Sequence, residues 1–263
     1  MSAERRARFR ELHAAGLFVM PNPWDVGSAK LLAWMGFHAL ATTSAGLAWS
    51  LGRLDQNVSR DELVAHVEVM AAATQLPLNV DSEHCFPDAP GGVAATVRML
   101  ADAGAAGCSI EDYDPAADRI LDIDTAAERV ALAAAAAPLV LTARAENHLH
   151  GVHDLDDTIA RLVAYRDAGA DVVYAPGLRD LVSIGRVVAE AGIPVNVLSL
   201  PGGPTVSELA SVGVRRVSTG GALARAAYGA LLEGAAELRG RGTSSYSERG
   251  APADALREAF ERG

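Results

Sequence analysis

"PLNVDSEHCFPDAP", residues 77–90, opens as a buried strand and then sets Asp81, Glu83, His84 and Cys85 within five positions. Leu78 and Val80 call for a core, whereas carboxylates without partners are costly to bury. Both demands are met where an interior strand ends on a polar or positively charged rim. Comparable runs recur along the chain: "LFVM" at 17–20, "HALATT" at 38–43, "PLNVD" at 77–81 and "AGCSIED" at 106–112. They continue with "PLVLTAR" at 138–144, "DVVYA" at 171–175, "PVNVL" at 194–198 and "VRRVS" at 214–218.

Between these runs the apolar spacing changes to three and four, the period of a helix. "SRDELVAHVEVMAAAT" at 59–74 opens with Ser59 and Glu62 as a capping box, and "DLDDTIARLVAYRDAG" at 154–169 has Asp154 as N-cap and Gly169 at its end. Strict alternation implies parallel strands joined by right-handed crossovers. Eight such units predict an α/β fold, a (β/α)8 TIM-type barrel. The competing doubly wound sheet lacks its glycine fingerprint, because "PNPWDVGSA" comes after the first strand. The barrel domain is expected over 1–238, followed by a linker within 239–263 and an additional C-terminal helix over 252–261, not an independent domain.

Composition narrows the function. The 263 residues are half hydrophobic with a formal net charge of −10, and no run of Lys and Arg stands out, which argues against nucleic-acid or membrane partners. No apolar segment reaches spanning length and the first residues lack a signal-peptide core, so a cytoplasmic location is expected. Two cysteines, Cys85 and Cys108, are too few for a disulfide scaffold.

In a (β/α)8 barrel the active site is built from the residues at and just after the carboxyl end of each strand. Here those positions hold Asn22, Trp24 and Asp25, then Thr43 and Ser44, then Asp81 and Glu83, then Glu111 and Asp112, then Arg144 and Glu146. Any one of these acids alone is as readily a helix cap or a solvated loop residue. Gathered on one rim, Asp81, Glu83 and Glu111 would repel one another unless they shared a divalent cation, and oxygen donors favour Mg²⁺ or Mn²⁺. Arg144 offers the planar fork that matches a carboxylate.

"PNPWDVGSAKLLAWMGFHALATTSAGLAWSLG", "VDSE", "SIED", "TARAEN" and "AGADVVYAPG" together resemble the isocitrate lyase and phosphoenolpyruvate mutase superfamily from about residue 9 to residue 230. The resemblance implies Mg²⁺-dependent chemistry on small 2-oxo or 2-hydroxy acids through a stabilised enolate. Asp81 would then be the direct metal ligand, with Glu83 and Glu111 holding metal-bound water. Substrate would be oriented by Thr43, the backbone of Ser44 and Ala45, and Arg144, with Trp24, Asp25, His148 and Asn196 as further substrate-binding residues. Arg144, Glu111, Glu146 and Tyr113 are the catalytic candidates, and Tyr113, Glu146 and His148 are the candidate proton donors. A homo-oligomer, tetramer or dimer, is implied as well.

The chain departs from that family in the segment "EDYDPAADRILDIDTAAERV", 111–130, which reads directly into a helix and carries neither the lyase cysteine loop nor the phosphonomutase loop. The expected reaction is therefore C–C cleavage, by a lyase or decarboxylase, on a 2-oxo or 2-hydroxy dicarboxylic acid. The alternatives are P–C chemistry by a phosphonomutase or phosphonopyruvate hydrolase-like enzyme, and a non-catalytic 2-oxo acid binding barrel. Three further features have rival readings. His148, His150 and His153 are either metal ligands or loop residues that bond substrate or water; Gly220 and Gly221 either bind phosphate or end a strand; Trp24 and Trp49 either line the pocket or pack.

Overall fold

The computed structural model describes residues 2–261. The apolar runs become strands buried on both faces: β1 (Phe18–Met20), β2 (Leu40–Ala41), β3 (Leu78–Asp81) and β4 (Gly107–Glu111). After a small hairpin, β5 (Tyr113–Asp114) and β6 (Arg119–Ile120), come β7 (Val140–Arg144), β8 (Val172–Tyr174), β9 (Val195–Leu198) and β10 (Arg216–Ser218). Apart from the hairpin all pair in parallel, in the order β1-β10-β9-β8-β7-β4-β3-β2. The Ala41 amide donates to the Pro21 carbonyl at 3.1 Å and bridges the remaining seam of the (β/α)8 barrel.

The outer ring is α2 (Val26–Trp34), the short α3 (Ser44–Ser50), α4 (Arg60–Ala72), α5 (Gly92–Asp102), α6 (Ile123–Ala136), α7 (Leu155–Asp167), α8 (Leu181–Ala191), α9 (Val206–Ser211) and α10 (Ala222–Arg241). Their starts obey capping chemistry: Ser59 and Glu62 form the expected box on α4, and Asp154 accepts from Asp157 N at the start of α7. The segment after β4 differs from expectation, since the β5–β6 hairpin intervenes before α6. A tight Pro115–Asp118 turn, with Asp118 at φ 47°, reverses the chain there, which the helical reading of 111–130 overlooked. At the far end α10 runs to Arg241, a 3-10 turn covers Ser245–Arg249, and α11 (Ala253–Glu261) lies against α2 with Ala259 buried.

Helix α1 (Ser2–Ala14) closes the N-terminal end of the barrel. Its Phe9 is fully buried with Phe18, Ala106 and Val140, and it sits so close to Gly107 that a Cβ there would lie 2.7 Å from the ring. His13, on the same helix face, meets Phe9 and Phe18 edge to face. Above this plug the barrel interior is polar: Asn79, Ser109, Thr142, Asn196 and Arg216 are all buried there. Bulky branched side chains usually fill that space.

His13 Nδ1 lies 2.7 Å from the Phe9 carbonyl, which only accepts, so Nδ1 carries the proton and Nε2 faces Arg216 as an acceptor. Burial, then the Arg216 charge, pushes His13 down to about 3. An unfolded histidine protonates near pH 6.5. Between these values the unfolded chain binds the extra proton, so this residue makes stability fall as pH drops below 6.5. Denaturant unfolding of the wild type and His13→Gln at pH 7 and pH 5 is expected to show about 2 kcal/mol more acid loss in the wild type.

Candidate active site

At the carboxyl ends of the strands lies a cavity of about 170 Å³. Drug-sized ligands occupy about 300–1,000 Å³, so this space suits a small molecule. Its walls include Thr43, Ser44, Ala45, Asp55, Asp81, Arg144, Asn196 and Arg216, with Leu149, Pro176 and Leu198 as apolar members. Thr43 caps α3, accepting from Gly46 N at 3.2 Å. Gly46 has no room for a side chain, because a Cβ would meet the Thr43 methyl at 2.5 Å and Trp24 at 2.8 Å.

Arg144 is the hub. Its Nη1 stands 2.8 Å from both Asp81 Oδ1 and Glu111 Oε1, and its Nε donates to Glu146 Oε1 at 2.6 Å. Its guanidinium also lies over the Tyr174 ring, 5.1 Å from the centroid. Asp81 is held on its other oxygen by the Ser44 amide at 3.0 Å. That amide, expected to meet a substrate carboxylate, is thus taken by a protein carboxylate. Burial opposes the charge on Arg144, but Glu111, Glu146 and Asp81 together raise its pKa well above the ordinary value.

One cation cannot neutralise the acids around it. Burial pushes Glu111 well above the usual carboxylate range despite Arg144, and Glu146 moves the same way. Glu83 is pushed up to about 8 by burial and then by the charges of Asp81 and Asp55. Asp55 is raised by burial first and by Asp81 second. Asp55 lies between α3 and α4 and lines the cavity; the sequence reading missed it because no strand end marks that loop.

Alternation along β4 sends Glu111 to Arg144 and Asp112 the other way. Asp112 accepts from Tyr165 OH at 2.6 Å and Arg161 Nη1 at 3.1 Å, while its other oxygen takes the Glu146 amide at 2.8 Å. It thereby anchors the turn after β7 to α7, a role for Arg161 and Tyr165 that the sequence reading also missed.

Glu83, Glu111 and Glu146 stand behind the cavity wall, and four other expected site residues lie away from it. Asp25 spends its carboxylate capping α2, accepting from Ser28 N at 2.7 Å, and Trp24 packs beside Gly46. Tyr113 is on the hairpin, where its hydroxyl donates to Asp118 and its ring stacks on His150 at 3.7 Å. His148 sits against Gly177, 5.6 Å from the His153 ring. Among the described residues, no group of three or more His, Cys, Asp or Glu forms a ready-made metal cage, and Arg144 stands between Asp81 and Glu111. The Gly220 amide, a candidate phosphate donor, is bound by Asn22 Oδ1 at 2.9 Å, and the same oxygen takes Thr219 N, so Asn22 ties β1 to the end of β10. Cys85 is buried and its thiol pushed up to about 12, chiefly by burial, which makes it inert.

Removing one member of a buried ion pair leaves its partners uncompensated, at roughly 3–5 kcal/mol. Arg144→Met is therefore expected to lose about that much stability at pH 8, and less at pH 5, where Glu111 and Glu146, raised by burial, accept protons more readily. Urea unfolding at the two pH values measures the difference.

The phosphoenolpyruvate phosphomutase family model matches residues 9–239. A solved structure from Burkholderia cenocepacia J2315, provisionally assigned as a lyase or mutase, has 51% identity, a TM-score of 0.93, and coverage of 98% of this chain and 96% of that one. An uncharacterized protein of Mycobacterium tuberculosis (strain ATCC 25618 / H37Rv) is 36% identical over 217 residues, 81% of each chain. Oxaloacetate decarboxylase 2 of Pseudomonas fluorescens (strain Pf0-1) is 31% identical over 202 residues, 71% of this chain and 67% of that protein. With the barrel and its acid-ringed arginine, these likenesses establish that the chain belongs to the phosphoenolpyruvate phosphomutase family, among the lyases and mutases of the isocitrate lyase/PEP mutase superfamily.

Proposed function

We propose that this protein is a Mg²⁺-dependent C–C lyase or decarboxylase for a small 2-oxo or 2-hydroxy dicarboxylic acid. One observation carries the reading: a small polar cavity is walled by Asp81 and Asp55 and backed by Glu83, Glu111 and Glu146, three of which, Asp81, Glu111 and Glu146, pair with Arg144. The donors are oxygen only and hold more negative charge than Arg144 compensates, which suits a hard dication. Mg²⁺ keeps several waters and binds through one or two carboxylates, so it does not need a cage of three. Asp81 would hold it directly, with Glu83 and Glu111 bonding its waters. When bound, such an ion stabilises negative charge that develops on a substrate oxygen.

The chain's own residues supply the rest. Thr43, Ser44, Ala45 and Asn196 surround the space in which the acid lies. Breaking the bond between the departing carboxylate and C3 of a 2-oxo diacid leaves its electron pair as an enolate, and one proton must return to carbon. Asp55 reaches the cavity, and burial with the Asp81 charge raises its pKa, the direction a proton donor needs. Tyr113 and His148 are outside that space, and Glu146 is tied to Arg144 Nε. The likeness to an oxaloacetate decarboxylase supports the same chemistry.

Pyruvate release from oxaloacetate by the protein with Mg²⁺ is expected to exceed the rate with free Mg²⁺ alone and to be lost when EDTA is added. Within a panel of 2-oxo and 2-hydroxy diacids and phosphonopyruvate, the diacids are expected to be turned over. Asp55→Asn is expected to lower kcat about 100-fold or more while substrate still binds. Stabilisation by Mg²⁺ and oxalate without turnover of any panel member would make the barrel a binding module, and turnover of phosphonopyruvate alone would assign it P–C chemistry.

A further inference from the structure

The cavity is lined by two guanidinium groups with opposite surroundings. Arg144 is ringed by carboxylates. Arg216, only 1% exposed, meets neutral groups: Nε donates to Asn196 Oδ1 at 2.8 Å, Nη2 to Thr142 Oγ1 at 2.9 Å, and Nη1 lies 3.3 Å from His13 Nε2. His13 is held neutral with Nε2 as acceptor, so it contributes no negative charge. Among the described residues Arg216 has no carboxylate partner within ion-pair distance. Burial pushes it down to about 9, still above neutral pH, so the guanidinium is charged.

A buried charge is normally paired. The three contacts occupy one N–H on each nitrogen of a group that has five, leaving one on each Nη. Arg216 is level with Asn196 and one alternation deeper along β10 than Ser218, so it stands at the floor of the cavity. The rim carries Asp55 and Asp81. Arg144 has its charge already compensated by carboxylates, so a ligand anion is drawn toward Arg216 at the floor.

We propose that Arg216 is a specificity-determining cation whose unpaired charge seats one carboxylate of a diacid substrate at the cavity floor, against Asn196 and Thr142. The inference deepens the reading of the cavity as an acid-binding site and rests on it. Its consequence is selection by charge: an acid ending in a carboxylate is preferred to one of the same shape ending in methyl. Thr142 and Asn196 hold the guanidinium in place and line the same floor.

Malate and 2-hydroxybutyrate differ in this way, and their binding with Mg²⁺ present can be compared by calorimetry without turnover. The wild type is expected to bind malate at least about 10-fold more tightly. Arg216→Met should weaken malate binding and bring the two affinities together, whereas Arg216→Lys, which keeps the charge, should restore most of the preference. Equal affinities in the wild type would overturn the proposal without any variant. So would a lower Tm in Arg216→Met with the affinity ratio intact, the signature of a merely structural arginine. No binding of either acid would remove the acid-binding reading together with this inference. A normal ratio without turnover of any acid would sink only the catalytic reading.

Discussion

The site depends on an imbalance of charge around Arg144. Three carboxylates approach one guanidinium within 2.8 Å, and further acids stand behind and beside them. Buried ion pairs seldom repay their desolvation, so this cluster is poorly explained as a device for stability. The cation site proposed for it accounts for the cluster better than stability does. Burial raises the pKa of Glu111, Glu146, Glu83 and Asp55, and a second positive charge would lower it again; the fold keeps the acids together because they come from different strands and loops of the barrel.

That closure is built from ordinary parts. Asn22 joins the first strand of the barrel to the last and the Ala41 amide joins the second to the first, α1 plugs the base with Phe9, and Asp112 fastens the turn after β7 to α7. The interior between plug and rim is polar instead of aliphatic, so the cavity gains depth and a floor carrying its own cation. An acidic rim and a cationic floor give the space a direction, which a symmetric pocket of the same volume would lack.

Much of this was legible in the sequence, and the reasons are local. Strands buried on both faces appear as short apolar runs, and helix starts carry their caps in the next three residues, as at Ser59 with Glu62. The cluster of Asp81, Glu111, Arg144 and Glu146 comes from the rule that strand ends converge. What failed was the assignment of single polar residues. Asp25 and Asp81 look alike as acids after a strand, yet one caps a helix and the other faces Arg144. Asp55 sits in a loop without periodicity, and Arg216 lies inside a strand where alternation alone does not say which of Arg215 and Arg216 points inward. The hairpin after β4 was hidden by an alanine-rich turn that mimics a helix start.

The most direct test is an anomalous difference map from a crystal soaked with Mn²⁺ and oxalate. The expected result is a manganese peak in ligand contact with the Asp81 carboxylate, within reach of Glu83 and Glu111 through water, with oxalate in the cavity beside it. A peak confined to His148, His150 and His153, or none near Asp81 at saturating Mn²⁺, would contradict a cation-binding role for the acid ring.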